Sequence, residues 1–324
     1  MQTVLVTGAT GFIASHLLPI LAQQKWQITA AVRNNFAQPP SLPMKIIKVG
    51  EIDGNTNWQK ALERIDVVIH LAARAHILEE DTPNPEAEFI RVNTEGTANL
   101  VQQSIKAGVK QFIFISSIGA MATLSDQILT ENSPCQPSTP YGVSKFKAEK
   151  ALIELSQHSK MKWTIFRPTL VYGPGNPGNM ERLMKLVKIG LPLPFGKVKN
   201  RRSFIYVGNL VTAIAHSLNH PQAFNQTFLI SDGQDISTPE LVKKIAQQME
   251  KSCQMLPVPP KMLQLLGYLG DLGEKITHKQ LSLNSYTINR LLGSLFVDSN
   301  YIQNTLKWQP PYTIDDGIEK TIKP

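Results

Sequence analysis

The sequence predicts an α/β fold, a doubly wound parallel sheet with a smaller C-terminal α/β domain, on three observations. Short apolar runs alternate with longer amphipathic segments through roughly the first 170 residues, as in successive βαβ units. The apolar runs show little polar alternation, which suits strands covered on both faces. After Arg167-Pro168 the texture changes, and Pro and Gly cluster through 172–178 and 191–196. A chain of 324 residues has room for one large domain and a smaller companion. We place the first at 1–172, with a segment 203–222 that returns to it, and the second at 173–324.

The first strand is Val4-Leu5-Val6, and a helix over 12–24 follows a glycine turn. Further strands fall at 28–32, 45–49, 67–69, 112–115 and 164–166, giving six in parallel. Helices over 85–107 and 141–158 carry apolar residues at three- and four-residue spacing. The second of these has a defined start, because Ser138-Thr139 offers an N-cap and Pro140 sits in the first turn, where its missing N–H costs nothing. A helical pattern at 210–219 returns toward the sheet.

Hydrophobic residues at 42% and charged residues at 18% exclude wholesale disorder and coiled coil. Cys135 and Cys253 lie far apart without CxxC spacing, so neither a disulfide framework nor a cysteine zinc site is expected. No His/Asp/Glu cluster has metal-ligand spacing, and no metal is expected. The N-terminus runs straight into a strand, and no apolar run of about 18 residues follows, so a cytoplasmic protein is expected. The net charge of +8 calls for an acidic partner: nucleic acid, an anionic membrane, or a phosphorylated small molecule.

The sharpest local signal is Val6-Thr7-Gly8-Ala9-Thr10-Gly11-Phe12-Ile13-Ala14, a strand, a glycine turn and a helix start in that order. Gly8 and Gly11 let the backbone turn tightly and approach a pyrophosphate, which would rest on the N–H groups of the helix start. The sheet is therefore of the Rossmann type. An acidic residue at the end of the second strand would bind a ribose 2′-hydroxyl, but here the strand ends Ala31-Val32-Arg33-Asn34. Arg33 suits a 2′-phosphate, so NADP(H) is the preferred cofactor, with NAD(H) possible; a solvated surface arginine is the plainer alternative.

Tyr141-Gly142-Val143-Ser144-Lys145 puts a phenol and an ammonium on one helix face. A nearby cation lowers a tyrosine pKa, so Tyr141 is expected to exchange a proton with a carbonyl or alcohol oxygen during hydride transfer, with Lys145 tuning it. Ser117 ends the strand Phe112-Ile113-Phe114-Ile115-Ser116 at the edge where α/β sheets bind ligands, and it is the third catalytic candidate.

With these motifs in this order, the sequence resembles the extended short-chain dehydrogenase/reductase family, in its nucleotide-sugar epimerase, dehydratase and reductase branch, over nearly the whole chain. His70-Leu71-Ala72-Ala73, Asn93-Thr94-Glu95-Gly96-Thr97-Ala98-Asn99-Leu100, Arg167-Pro168 and Tyr172-Gly173-Pro174-Gly175 support it. The resemblance implies that Thr10, Phe12, Ile13, Leu71, Ala72, Ala73 and Pro168 line the cofactor, and that Lys145 also contacts the nicotinamide ribose. It places a UDP-sugar against Ser117, Ile118, Tyr141, Asn179, Leu193, Phe195 and Arg202, with Arg290 as a second phosphate ligand. Guanidinium forks pair with phosphate, which favours Arg202, although Arg201 stands beside it. Phe195 also reads as core, Asn179 as a helix cap, and His76 either reaches the sugar or faces solvent. The resemblance further implies a homodimer built on the 85–107 and 141–158 helices.

Ile118-Gly119 replaces the Asp-Glu pair of the family's dehydratases, so dehydration is disfavoured. The leading expectation is reduction of the 4-keto group of a UDP-4-keto-6-deoxy-hexosamine, with Tyr141 as general acid. A UDP-sugar 4-epimerase with retained NAD is the alternative, and a non-catalytic NADP-binding regulator the minor one. Residues 179–202 hold seven Lys/Arg against one acid, Glu181, so the charge surplus is largely local. With no membrane-binding helix signature and no nucleic-acid motif, it reads as bias toward a phosphorylated substrate.

Overall fold

In the computed structural model, residues 2–34, 41–75, 84–176, 178–277 and 284–323 are described. His76 lies outside them. The chain runs β1 (Thr3–Thr7), α1 (Phe12–Gln23), β2 (Gln27–Val32), β3 (Met44–Lys48), β4 (Val67–His70), α2 (Pro85–Phe89), α3 (Gly96–Lys106), β5 (Gln111–Ile115), α4 (Pro140–Ser156) and β6 (Lys162–Pro168). It continues as β7 (Leu170–Tyr172), α5 (Asn179–Ile189), β8 (Arg202–Tyr206), α6 (Val207–Ser217), β9 (Gln226–Ile230), β10 (Asp235–Ile236) and α7 (Thr238–Gln248). Four helices close it: α8 (Pro260–Thr277), α9 (Ser285–Leu292), α10 (Asn300–Leu306) and α11 (Ile314–Ile322).

The main sheet has seven strands in the order β3-β2-β1-β4-β5-β6-β9, and every neighbouring pair is parallel. Strand pleating divides the core between the two faces. Val4, Val6, Ile69 and Ile113 pack with α1 and α6, whereas Leu5, Val68, Phe112 and Phe114 pack with Leu100 and Val101 of α3 and Ala148 and Leu152 of α4. Coverage on both sides is why these strands read as unbroken apolar runs. Strand order reverses between β1 and β4, which opens a crevice at their C-terminal ends.

The seventh strand, Gln226–Ile230, was not among the expected six. Its polar start, Gln226-Thr227, hides it, yet it pairs with β6 from Thr164↔Gln226 to Pro168↔Ile230. The chain thus returns to the sheet beyond the 203–222 segment. Within that segment, α6 packs on α1, while β8 belongs to a separate sheet of three strands ordered β10-β8-β7.

The helix expected over 85–107 is one continuous rod, α2 into α3, whose middle turn, Ile90–Glu95, is π-helical. Asn84 caps its start by accepting from the Ala87 N–H at 3.1 Å. Among the described residues, no helix is long and apolar enough to cross a membrane.

Candidate active site

The C-terminal edges of β1, β2, β4, β5 and β6 bring the expected groups to one side of the sheet. After β1, Gly8 adopts φ +64°, and its N–H and C=O turn the chain so that the Gly11 N–H donates to the Gly8 carbonyl at 2.9 Å. A Cβ on Gly8 would lie 2.8 Å from the Ala72 nitrogen, so only glycine lets this turn sit against the segment after β4. Gly11 is the N-cap of α1 and provides no side chain to the helix start. Thr10 and Gly11 are exposed there, Phe12 and Ile13 half-buried. These uncapped N–H groups above a glycine cradle fit a pyrophosphate. Arg33 stands exposed one residue beyond β2, Leu71 and Ala72 are half-buried, Ala73 is exposed, and Pro168 is buried at the end of β6.

The catalytic candidates meet where α4 abuts the turn after β5. Thr139 caps α4, accepting from the Gly142 N–H at 3.1 Å. Ser117 caps the short 3-10 turn Ile118–Ala120, its Oγ accepting from the Gly119 N–H at 3.0 Å. A Cβ on Gly142 would fall 2.2 Å from the Gly119 carbonyl, and one on Gly119 would fall 3.8 Å from the Tyr141 ring. Two glycines therefore let the two segments close until the Tyr141 ring stands beside Ser117. Phe89 meets the Tyr141 ring edge-on at 6.1 Å.

The expected lowering of the Tyr141 pKa by Lys145 does not occur. Burial pushes the phenol up, partly offset by the Ser117 hydrogen bond. Lys145 is one turn deeper in the helix, its ammonium donating to the Ile115 carbonyl at 2.7 Å and resting 4.0 Å over the Phe114 ring. Burial brings the Lys145 pKa down to about 7, opposed by the charge of Glu149.

Beneath these groups runs a buried polar chain that sequence reading missed. The Thr97 hydroxyl donates to the Asn93 carbonyl at 2.7 Å, so it accepts from His70 Nε2 at 2.9 Å. His70 Nδ1 then accepts from the Thr7 hydroxyl at 2.7 Å, and Thr7 Oγ1 in turn accepts from the Ala72 N–H at 3.2 Å. Asn93 accepts from the Arg74 N–H at 2.8 Å and donates to Ser144 Oγ at 3.0 Å, whose hydroxyl donates to the Tyr141 carbonyl at 2.7 Å. The glycine turn and Tyr141 are thus tied through one chain. Burial and the Lys145 charge lower the His70 pKa to about 3, so the ring is neutral. His70 and Asn93 both fall in family stretches quoted from sequence, but nothing in sequence shows that they meet.

Glu149 is a second missed residue. Only 2% exposed, it takes a forked ion pair from Arg167, with Nη2 at 2.6 Å and Nε at 3.0 Å, and also accepts from Ser116.

The substrate candidates divide. Arg201 turns outward to Asp235 at 2.9 Å and stacks on Phe296, whereas Arg202 turns inward and donates to the carbonyls of Arg290 and Gly293. Burial and the charge of Arg290 bring the Arg202 pKa down to about 10. Arg202 and Arg290 are therefore neighbours, a paired cationic site. Leu193 and Phe195 are buried in the main core, and Ile118 packs with Met121, Leu129 and Leu295. Asn179 opens α5 behind Gly178 as N-cap, and its side chain lies outside the described residues.

The NAD dependent epimerase/dehydratase family model matches residues 4–231. A UDP-glucose 4-epimerase of Vibrio cholerae is 39% identical over 99% of this chain and 94% of that protein. An N-acetyl-alpha-D-glucosaminyl-diphospho-ditrans,octacis-undecaprenol 4-epimerase of Escherichia coli O157:H7 is 29% identical over 99% of this chain and 95% of its own. Among solved structures, MoeE5 in complex with UDP-glucuronic acid and NAD superposes with a TM-score of 0.77 at 22% identity, covering 99% of this chain and 98% of that one.

Proposed function

Because the chain belongs to the NAD dependent epimerase/dehydratase family, we propose that it is a 4-epimerase of a diphosphate-linked hexose such as a UDP-sugar. The observation that carries this reading is Tyr141 brought beside Ser117 on the ligand edge of the sheet, with Ser117 Oγ and the Tyr141 ring both within 4 Å of a Cβ built on Gly119, next to a glycine cradle that fits a dinucleotide pyrophosphate. The 39% identical relative supports epimerisation over the 4-keto reduction that the sequence put first.

Bound at the glycine turn, a nicotinamide cofactor supplies the acceptor and donor of a hydride. Tyr141 takes the proton of the sugar 4-hydroxyl as its phenolate and later returns it, so the burial that raises the phenol must be offset when the site is filled, and Ser117 holds that oxygen by hydrogen bonding. Lys145, anchored below on the Ile115 carbonyl and the Phe114 ring, supports the floor of the site beneath Tyr141. Arg202 and Arg290 hold the diphosphate. The protein reading that goes with this chemistry is a homodimer through the outer faces of α3 and α4.

The test is conversion of UDP-glucose to UDP-galactose without added cofactor, by protein that carries NAD through purification. Consumption of NADPH on a UDP-4-keto-6-deoxy-N-acetylhexosamine, with no interconversion of UDP-hexoses, would refute it and return the reductase. Arg33, with no acid at the end of β2, favours that second reading. Arg33→Ala should then weaken NADPH about tenfold and leave NADH unchanged; an unaltered ratio removes Arg33 from cofactor choice.

A further inference from the structure

Helix α8 presents its apolar side to the outside. Leu263 is buried in the main core, and a Cβ on Gly267 would lie 2.9 Å from Ser285 Cα at the start of α9. Asp271 accepts from the Ser285 N–H at 2.9 Å, and Glu274 from Asn284 Nδ2 at 2.9 Å. The acids of the helix thus face its neighbour and cap it. The opposite side carries Met262, Leu265, Leu266, Tyr268, Leu269 and Leu272, which are 57, 59, 47, 62, 56 and 54% exposed. At 3.6 residues per turn, 262, 265/266, 269 and 272 form one stripe with Tyr268 at its edge. Among the described side chains of α8, Lys261 is the one exposed charge.

The basic stretch adjoins this stripe. Leu193 and Met255 pair, with the Leu193 N–H donating to the Gln254 carbonyl at 2.9 Å and the Leu256 N–H to the Leu193 carbonyl at 2.8 Å. This lays segment 191–199 along the chain that leads into α8. Leu191 and Leu256 on the two sides of the pairing are exposed, as are Lys197 and Lys199. A contiguous apolar surface bordered by cations marks an interaction site rather than ordinary protein surface.

We propose that this face docks on an anionic lipid bilayer, with the α8 stripe in the headgroup–acyl boundary and the exposed Lys197 and Lys199 beside it at the headgroups. An isologous contact with a second copy would bring the exposed Lys197 and Lys199 of both copies to the same seam. An anionic bilayer satisfies both the leucines and the lysines. The sequence reading expected no membrane partner for want of a membrane-binding helix signature; in the structure the acids of α8 face α9, and the lysines that accompany its stripe come from another segment.

The test is sedimentation of the full-length protein with vesicles of equal parts phosphatidylglycerol and phosphatidylethanolamine, and with phosphatidylcholine alone. Wild type is expected to pellet with the anionic vesicles and to release as salt rises. Leu265→Ser with Leu269→Ser should weaken partitioning at least about tenfold, at unchanged circular dichroism and unchanged turnover of soluble sugar nucleotide. Lys197→Glu with Lys199→Glu, which leaves α8 intact, should also weaken it. Wild type remaining in the supernatant, or the leucine or lysine pair pelleting like wild type, overturns the proposal. So does a wild-type dimer that the leucine variant dissociates, since a second copy would then cover the face.

Discussion

Acid should destabilise this protein through one neutral histidine. His70 is 1% exposed, stacked on Phe114 at 5.6 Å, with both ring nitrogens already bonded to threonine hydroxyls. Its pKa falls from 6.5 to about 3 on folding. The unfolded state therefore binds the extra proton, and the stability fully present above 6.5 is lost progressively as pH falls toward 3. At about pH 5 the unfolded imidazole is almost fully charged and the folded one almost neutral, a gap of about 1.5 pH units or about 2 kcal/mol. Asp232, raised to about 6 by burial, works in the opposite direction over the same range. The difference between wild type and His70→Gln isolates the histidine, because Asp232 is common to both. Glutamine has an amide donor and an acceptor but no proton to gain. Urea unfolding at about pH 7.5 and about pH 5 should show wild type losing about 2 kcal/mol more than the variant between the two conditions. Equal losses would refute the exclusion of the imidazolium from the fold.

Three further outcomes follow from the site. Tyr141→Phe should lower turnover by about a hundredfold to ten-thousandfold with an unchanged melting temperature, since the ring packing stays and only the proton is removed; assay of the sugar nucleotide reaction checks it. Gly8→Ala places a methyl 2.8 Å from the Ala72 nitrogen at φ +64°, and should weaken dinucleotide binding at least about tenfold by fluorescence titration. Glu149→Ala strands Arg167 in a buried site and should cost about 3–5 kcal/mol in chemical denaturation, far more than an exposed pair such as Lys185–Glu181.

Strands β1, β2, β4, β5 and β6 were legible because burial on both faces leaves short apolar runs bounded by turn residues, while β3, at the sheet edge, is largely exposed. The exception, Gln226–Ile230, begins with two polar residues and follows a short turn. Spacing placed Tyr141 and Lys145 on one helix face, and the structure keeps them there. What spacing does not carry is depth: Lys145 reaches down to the Ile115 carbonyl, and burial dominates the phenol. Arg201 and Arg202 differ by one residue and are equivalent in composition, while strand pleating sends them to opposite sides. The chain from Thr7 through His70 to Asn93 joins residues of three elements, and only the tertiary fold brings them together. Helix α8 was not read from the sequence, and helical spacing of its leucines does not tell a stripe that faces the core from one that faces outward, which their exposure decides.

The π turn at Ile90–Glu95 acts as the phasing element of the rod it interrupts. Each residue of an α-helix advances about 100° around the axis, and the wider turn fits one extra residue into the same rotation, so rewinding it as α-helix with no residue removed would rotate everything on one side of it relative to the other by about that angle. Phe89, against Tyr141, and Asn93, against Ser144, are set on either side of or within the turn. The wide turn is a vernier that fixes the angle between the two contacts, and through them the clocking of the tyrosine over the crevice. Rewinding there would leave the helix helical and the sheet folded while moving Phe89 out of register with the Tyr141 ring.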